Sequence, residues 1–179
     1  MHQAANGDDL DLSAILKAAL PGLIVPAPPW DEARSESSLI VGHLPGATVV
    51  RKPWGQERWL VQGDGRLVLK LIMLTSGHRT SLQLHRKKEE VSLLLWGRAR
   101  LVSGGSAEDA STVLEVSELA PGTFVHVRPG AVHRIEAVDD ILLLEVSTPE
   151  VDDVVRLRDD WSRSDGRLAA EHSDSGQNL

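Results

Sequence analysis

Turn-forming residues punctuate this chain at short intervals, and that spacing constrains its fold more than any other feature. Gly63-Asp64-Gly65, Gly104-Gly105, Pro121-Gly122, Pro129-Gly130 and Asp139-Asp140 supply the residue types that tight turns use. Between them lie apolar-rich runs over residues 49–59, 66–75, 92–103, 113–118, 124–127, 132–137 and 141–147. Such runs read as strands, and many short strands between regular turns imply a sandwich or a barrel. Residues 67–74 and 93–96 are almost wholly apolar, so these strands are expected to be covered on both faces. Lys70 interrupts the first of them. A lysine in so apolar a strand either points into a polar cavity or pairs with an acid.

The ends read differently. Leu12, Ile15, Leu16, Ala19 and Leu20 recur at helical spacing, with Asp9 or Asp11 as a cap and Pro21-Gly22 as a stop. Residues 26–38, rich in Pro, Ser and acids, read as a loop or linker for which Trp30 is the candidate anchor. After Thr148-Pro149 the acidic stretch 150–157 predicts a second helical segment, its first-turn acids favoured by the macrodipole. The expected organisation is a disordered terminus (1–8), a helix and arm packing on a barrel (9–48), the barrel itself (49–163) and a disordered tail (164–179).

Composition narrows the function classes. The 179 residues suit one domain, and the absence of cysteine excludes disulfides, thiolate metal ligands and cysteine nucleophiles. A formal net charge of −7 argues against general nucleic-acid binding. No apolar run approaches the ~18 residues of a membrane span, and no signal peptide is readable, so a cytoplasmic location is expected.

The chemistry gathers between Gly77 and Gly97. Gln83 and His85 project from one face of a strand, and Glu90 follows a basic turn at the head of an apolar run. Glu89 competes with Glu90 for the carboxylate role. An amide, an imidazole and a carboxylate suit a hard or borderline divalent ion that needs one more ligand, for which His133 in Arg-Pro-Gly-Ala-Val-His-Arg is the candidate. Arg51, Lys52, Lys70, Lys87, Arg128, Arg134 and Arg156 are candidates for handling phosphate, although Lys87 and Arg128 read better as solvated charge.

The series Gly77, five residues, Gln83, one residue, His85, four residues, Glu90, six residues, Gly97 resembles the first motif of the cupin superfamily. Gly122 to His133 resembles the second. Four further features are similar to the cupin domain of type II mannose-6-phosphate isomerases: Ser81-Leu82-Gln83, Arg51-Lys52-Pro53-Trp54-Gly55, Lys70, and Asp152 to Arg156 with Asp160 and Arg163. The similarity runs from about residue 50 to residue 163. It departs at Arg86-Lys87, at Val91-Ser92 and at Trp161-Ser162-Arg163, where that family tends to carry histidines, a His-Trp pair and a Tyr-Gly-Arg. The nucleotidyltransferase signature that usually accompanies the bacterial enzymes is absent.

The resemblance implies an all-β fold, the cupin double-stranded β-helix or jelly-roll barrel. It implies one divalent metal on Gln83, His85, Glu90 and His133, with zinc the first choice and manganese, cobalt, nickel or iron the alternatives. The implied activity is aldose–ketose isomerisation of a sugar phosphate through a cis-enediol. Lys70 and Arg134 are then the catalytic candidates, and Arg51, Lys52, Trp54 and Arg156 the substrate-binding ones. A homodimer acting on a small anionic sugar is expected. The alternatives are an Fe(II) oxygenase or epimerase, and a non-catalytic sugar- or metabolite-binding cupin.

Overall fold

A computed structural model describes residues 34–36, 39–41, 47–62, 66–104 and 113–166. The expected helix at 9–20 and the expected disordered ends, apart from residues 164–166, lie outside that range. Among the described residues the regular elements are all strands: β1 (Arg34–Glu36), β2 (Leu39–Val41), β3 (Thr48–Lys52), β4 (Gly55–Gln62), β5 (Val68–Leu74), β6 (Leu82–Leu84) and β7 (Glu90–Trp96). β8 (Ala99–Ser103), β9 (Glu115–Leu119), β10 (Phe124–Val127), β11 (His133–Ala137), β12 (Ile141–Ser147) and β13 (Val155–Arg158) complete the set. Apart from the β1–β2 pair, they make a six-stranded sheet in the order β10-β7-β12-β5-β4-β3 and a five-stranded sheet in the order β13-β6-β11-β8-β9. Every pairing is antiparallel. From β5 onward, apart from the β8–β9 hairpin, consecutive strands alternate between the two sheets, so the chain winds around a jelly-roll barrel.

Two of the expected strand runs are broken by glycine. Residues 49–59 fold as the β3–β4 hairpin, and Gly55, at φ 147°, sits where a Cβ would meet the Met73 carbonyl oxygen at 2.1 Å. Residues 92–103 divide at Gly97, which has φ 80° and Asp140 O within 2.2 Å of where a Cβ would stand. There the chain leaves one sheet for the other, and no L side chain fits the crossing.

The expected C-terminal helical segment is not formed. Residues 150–157 make a turn and then enter β13, which completes the edge of β6 with Val155 opposite Leu84 and Arg156 opposite Gln83. Consecutive β-branched residues Val154 and Val155 favour the extended form. The acid read as a helix start is engaged elsewhere, because the Asp153 carboxylate accepts the backbone N–H of Lys88 at 2.9 Å and that of Lys87.

Inside the barrel the side chains are layered. Pairing sets Leu74 opposite Ile141, Ile72 opposite Leu143, Lys70 opposite Glu145 and Val68 opposite Ser147. At the closed end, Trp54, Ile72, Leu74, Leu94, Leu119, Ile135, Ile141 and Leu143 form one buried apolar cluster. Two residues further along the same strands, the inward row becomes polar. The other face of the six-stranded sheet carries a separate apolar cluster around Leu71, Met73 and Leu142. Those strands are therefore buried on both sides, as their continuous apolar runs require.

Candidate metal centre

The polar end surrounds an open cavity. Three strands bring a cluster to its wall. His85 directly follows β6, Glu90 opens β7 and His133 opens β11, where His133 pairs with Gln83 across the sheet. His85 is fully buried, and Glu90 and His133 are nearly so. Glu90 lies between the rings, with Oε2 3.5 Å from His85 Nε2 and Oε1 3.3 Å from His133 Nε2. The two imidazole centroids are 5.3 Å apart. The ligand atoms of the three residues all lie within 4.8 Å of one another.

The hydrogen bonds behind the rings fix which nitrogen faces the cluster. His85 Nδ1 donates to the backbone carbonyl of Asp153, and His133 Nδ1 donates to that of Ala131 at 3.1 Å. A carbonyl oxygen only accepts, so each Nδ1 carries a proton, and Nε2 is the ring nitrogen turned toward Glu90 and open to a metal. This arrangement orients histidines that ligate metals. His85 Nε2 is buried with no hydrogen-bond partner. An orphaned, inward-facing imidazole nitrogen beside a carboxylate and a second imidazole fits a divalent ion, and the set suits zinc or another first-row metal.

Electrostatics prepares the carboxylate for this role. Burial pushes the Glu90 carboxyl up, but the Lys88 ammonium, with His133 and His85, holds it well below the usual carboxylate range. It is therefore ionised without having to release a proton to a metal. Lys88 Nζ donates to Glu90 Oε2, and to Glu145 Oε1 at 3.1 Å. Burial works against the charge on Lys88, but Glu145 and Glu90 outweigh it and raise its pKa.

A row of further ionic groups continues along the wall. Lys70 Nζ lies 3.5 Å from Glu145 Oε1 and 3.8 Å from Glu57 Oε2, and Lys52 Nζ lies 3.9 Å from Glu57 Oε1. Lys70 also sits over the Trp59 ring, 4.3 Å from its centroid. Trp59 Nε1 donates to Glu57 Oε2 at 2.8 Å. Burial raises the Glu57 pKa, but Lys70 and Lys52 more than reverse that and leave it lowered.

Of the residues singled out in the sequence, Lys52, Trp54, Lys70, Gln83, His85, Glu90, His133 and Arg156 line this cavity. Gln83 is half-buried, and its Oε1 accepts a hydrogen bond from Ser81 Oγ at 2.6 Å. Lys52 and Lys70, expected to meet phosphate, are each opposed by glutamate. Arg156 donates through Nη1 to Gly166 O at 2.9 Å and pairs its strand with β6.

Lys87 and Arg128 are exposed, as solvated charge would be, and Arg51 and Arg134 also lie away from the lining. Arg51 is exposed on β3. Arg134 points to the other side of the five-stranded sheet, donating to Arg158 O at 3.2 Å and lying 4.0 Å from Asp160. Because side chains alternate along a strand, an inward His133 requires an outward Arg134. Glu89 also points away and meets His126 at 2.6 Å, so Glu90 is the inward carboxylate.

Glu57, Lys88 and Glu145 are the charged lining residues that the sequence reading missed. Signals for two of them were present. Lys88 stands two residues before Glu90, the strand period, and Glu145 interrupts an apolar run just as Lys70 does. Asp153 was missed in another way, because its part is played through a backbone carbonyl that no side-chain pattern reports.

The fold recurs in solved structures of low sequence identity. CapF, the capsular polysaccharide assembling protein of Staphylococcus aureus, matches at TM-score 0.54 and 15% identity, over 63% of this chain and 32% of CapF. Lactobacillus farciminis oxalate decarboxylase in its formate complex matches at 0.53 and 16%, over 64% of this chain and 35% of that one. Bacillus subtilis oxalate decarboxylase, a protein with Mn(II) centres, matches at 0.53 and 16%, over 64% and 31%. The chain thus spans about a third of the length of these proteins, and at such identity the likeness shows the cupin fold alone. No match was found among curated proteins. The family model of the mannose-6-phosphate isomerase C-terminal domain matches residues 44–159 of the 179, and the chain belongs to that family.

Proposed function

We propose that this domain is a metal-dependent aldose–ketose isomerase acting on an open-chain sugar of the mannose 6-phosphate type. The observation that carries the reading is the His85–Glu90–His133 cluster, with its orphaned Nε2, next to buried acid–base groups in one open cavity. Gln83, His85, Glu90 and His133 would hold the metal. A bound divalent ion supplies a Lewis-acid centre for a sugar carbonyl and its neighbouring hydroxyl.

The chain's own groups do the rest. The Glu145 carboxylate, which is paired with the Lys70 and Lys88 ammonium groups, takes a proton from C2 of the aldose and returns it to C1. Lys70, poised over Trp59, donates a proton to O1 as charge develops there and takes back the proton that O2 releases when C2 becomes the carbonyl. Trp54 and Trp59, both buried, supply apolar wall to the cavity.

Incubation of metal-loaded protein with mannose 6-phosphate, fructose 6-phosphate and other sugar phosphates in heavy water, followed by NMR, tests this. Exchange of the C1 or C2 hydrogen is expected, even on a substrate converted slowly. Absence of exchange on every sugar, together with oxygen consumption by the Fe(II)-loaded protein, would replace the isomerase with an oxygenase.

A further inference from the structure

The cavity wall beside the metal cluster has a charge pattern of which the isomerase reading uses only Lys70, Glu145 and Lys88. Lys52, Glu57, Lys70, Glu145, Lys88 and Glu90 follow one another as ion-pair neighbours, so positive and negative groups alternate and three of each cancel. Their side chains are between 6% and 11% exposed. Buried ion pairs are seldom more stabilising than apolar groups of the same volume, so a row of them in an open cavity points to a ligand.

Spacing then says what kind of ligand. Next to the metal cluster the contacts are hydrogen bonds, as between Lys88 and Glu145 at 3.1 Å. Further along, the gaps of 3.5, 3.8 and 3.9 Å exceed ordinary hydrogen-bond length. Lys70 lies between two carboxylates and donates a hydrogen bond to neither. A hydroxyl group fits such a gap, because it accepts from the ammonium while donating to the carboxylate. Adjacent gaps along the row suit hydroxyls on adjacent carbons. An anion fits badly, since a phosphate oxygen near Lys70 would also face Glu57 and Glu145 at low dielectric.

We propose that Glu57, Lys70 and Glu145, flanked by Trp59, form a subsite for an uncharged vicinal-hydroxyl arm of a polyol, with any anionic group of the ligand held outside it. The inference rests on the isomerase reading in assigning the reacting carbons to the metal cluster, with Lys70 and Glu145 shared between those carbons and the hydroxyls next to them.

D-mannitol tests it, because an alditol has no carbonyl to isomerise and its binding is independent of turnover. Saturation-transfer NMR on the full metal-loaded chain should detect mannitol, and inorganic phosphate at equal concentration should leave the signal in place. Glu57→Gln and Glu145→Gln should each weaken mannitol binding at least tenfold with the thermal transition retained. The phosphate competition uses the unaltered protein, so it decides the question even where a variant fails to fold. Displacement of mannitol by equimolar inorganic phosphate would overturn the subsite, as would unchanged affinity in both variants. Sugar exchange in heavy water without mannitol binding would remove the subsite and keep the isomerase. Mannitol binding that is lost in the variants, with no exchange on any sugar, would keep the subsite and remove the isomerase.

Discussion

The two ends of the barrel interior are built from the same strands and carry opposite chemistry. On β5 the inward row passes from Leu74 and Ile72 to Lys70, and on β12 from Ile141 and Leu143 to Glu145. On β7 it passes from Leu94 to Ser92 and Glu90, and on β11 from Ala137 and Ile135 to His133. One layer is all that separates a sealed apolar core from six alternating charges and a metal cluster. The difference teaches how a small domain keeps buried charge. The apolar layers stabilise the fold and fix the strand register, and that register then sets each ammonium beside a carboxylate. A single-residue slip of β12 would turn Glu145 outward and leave Lys70 and Lys88 without their shared partner.

If the polar end is for binding and the apolar end for stability, substitutions should separate the two. The largest effect is expected on the metal. His85→Ala or Glu90→Ala should weaken divalent metal binding by more than about hundredfold, beyond what supporting contacts cost. Competition against a chromophoric chelator would measure the loss, and circular dichroism should show the strands retained. Tight binding in both variants would mean that the ion is held elsewhere.

At the other end, Leu143→Ala removes a side chain that is 3% exposed and should destabilise the domain. A loss of about 2–5 kcal/mol in denaturant unfolding is expected, with metal affinity within twofold of the parent. A marked fall in metal affinity would show that the two ends are not independent.

The smallest effect is one of pH, measured on metal-free protein. Glu57 has its folded pKa lowered from an ordinary value of 4.5, so its contribution is complete above that value and lost as pH falls through the folded pKa. Stability should therefore decline below about pH 4.5, and Glu57→Gln should flatten that decline. An equally steep decline in the variant would assign the acid sensitivity to other carboxylates.

Much of this architecture follows from short-range pattern. Turn residues and apolar runs specify the strands, because alternation and turn chemistry act over a few residues at a time. Gln83, His85 and Glu90 could be read together because they lie close in the chain, within a cupin-like spacing that also pointed to His133. Tertiary structure decided what depends on distant partners. Residues 150–157 carry the acids of a helix start, yet they turn and enter β13 because β6 offered an open edge and the 86–88 turn offered N–H groups to Asp153. Lys70 was readable as a lysine needing a cavity or an acid, but Glu57 and Glu145, 13 and 75 positions away, are its partners only through strand pairing. The sequence determined the types of charge that enter the barrel; the register of β4, β5 and β12 decided which charges meet, because Coulomb attraction depends on distance in space and not along the chain.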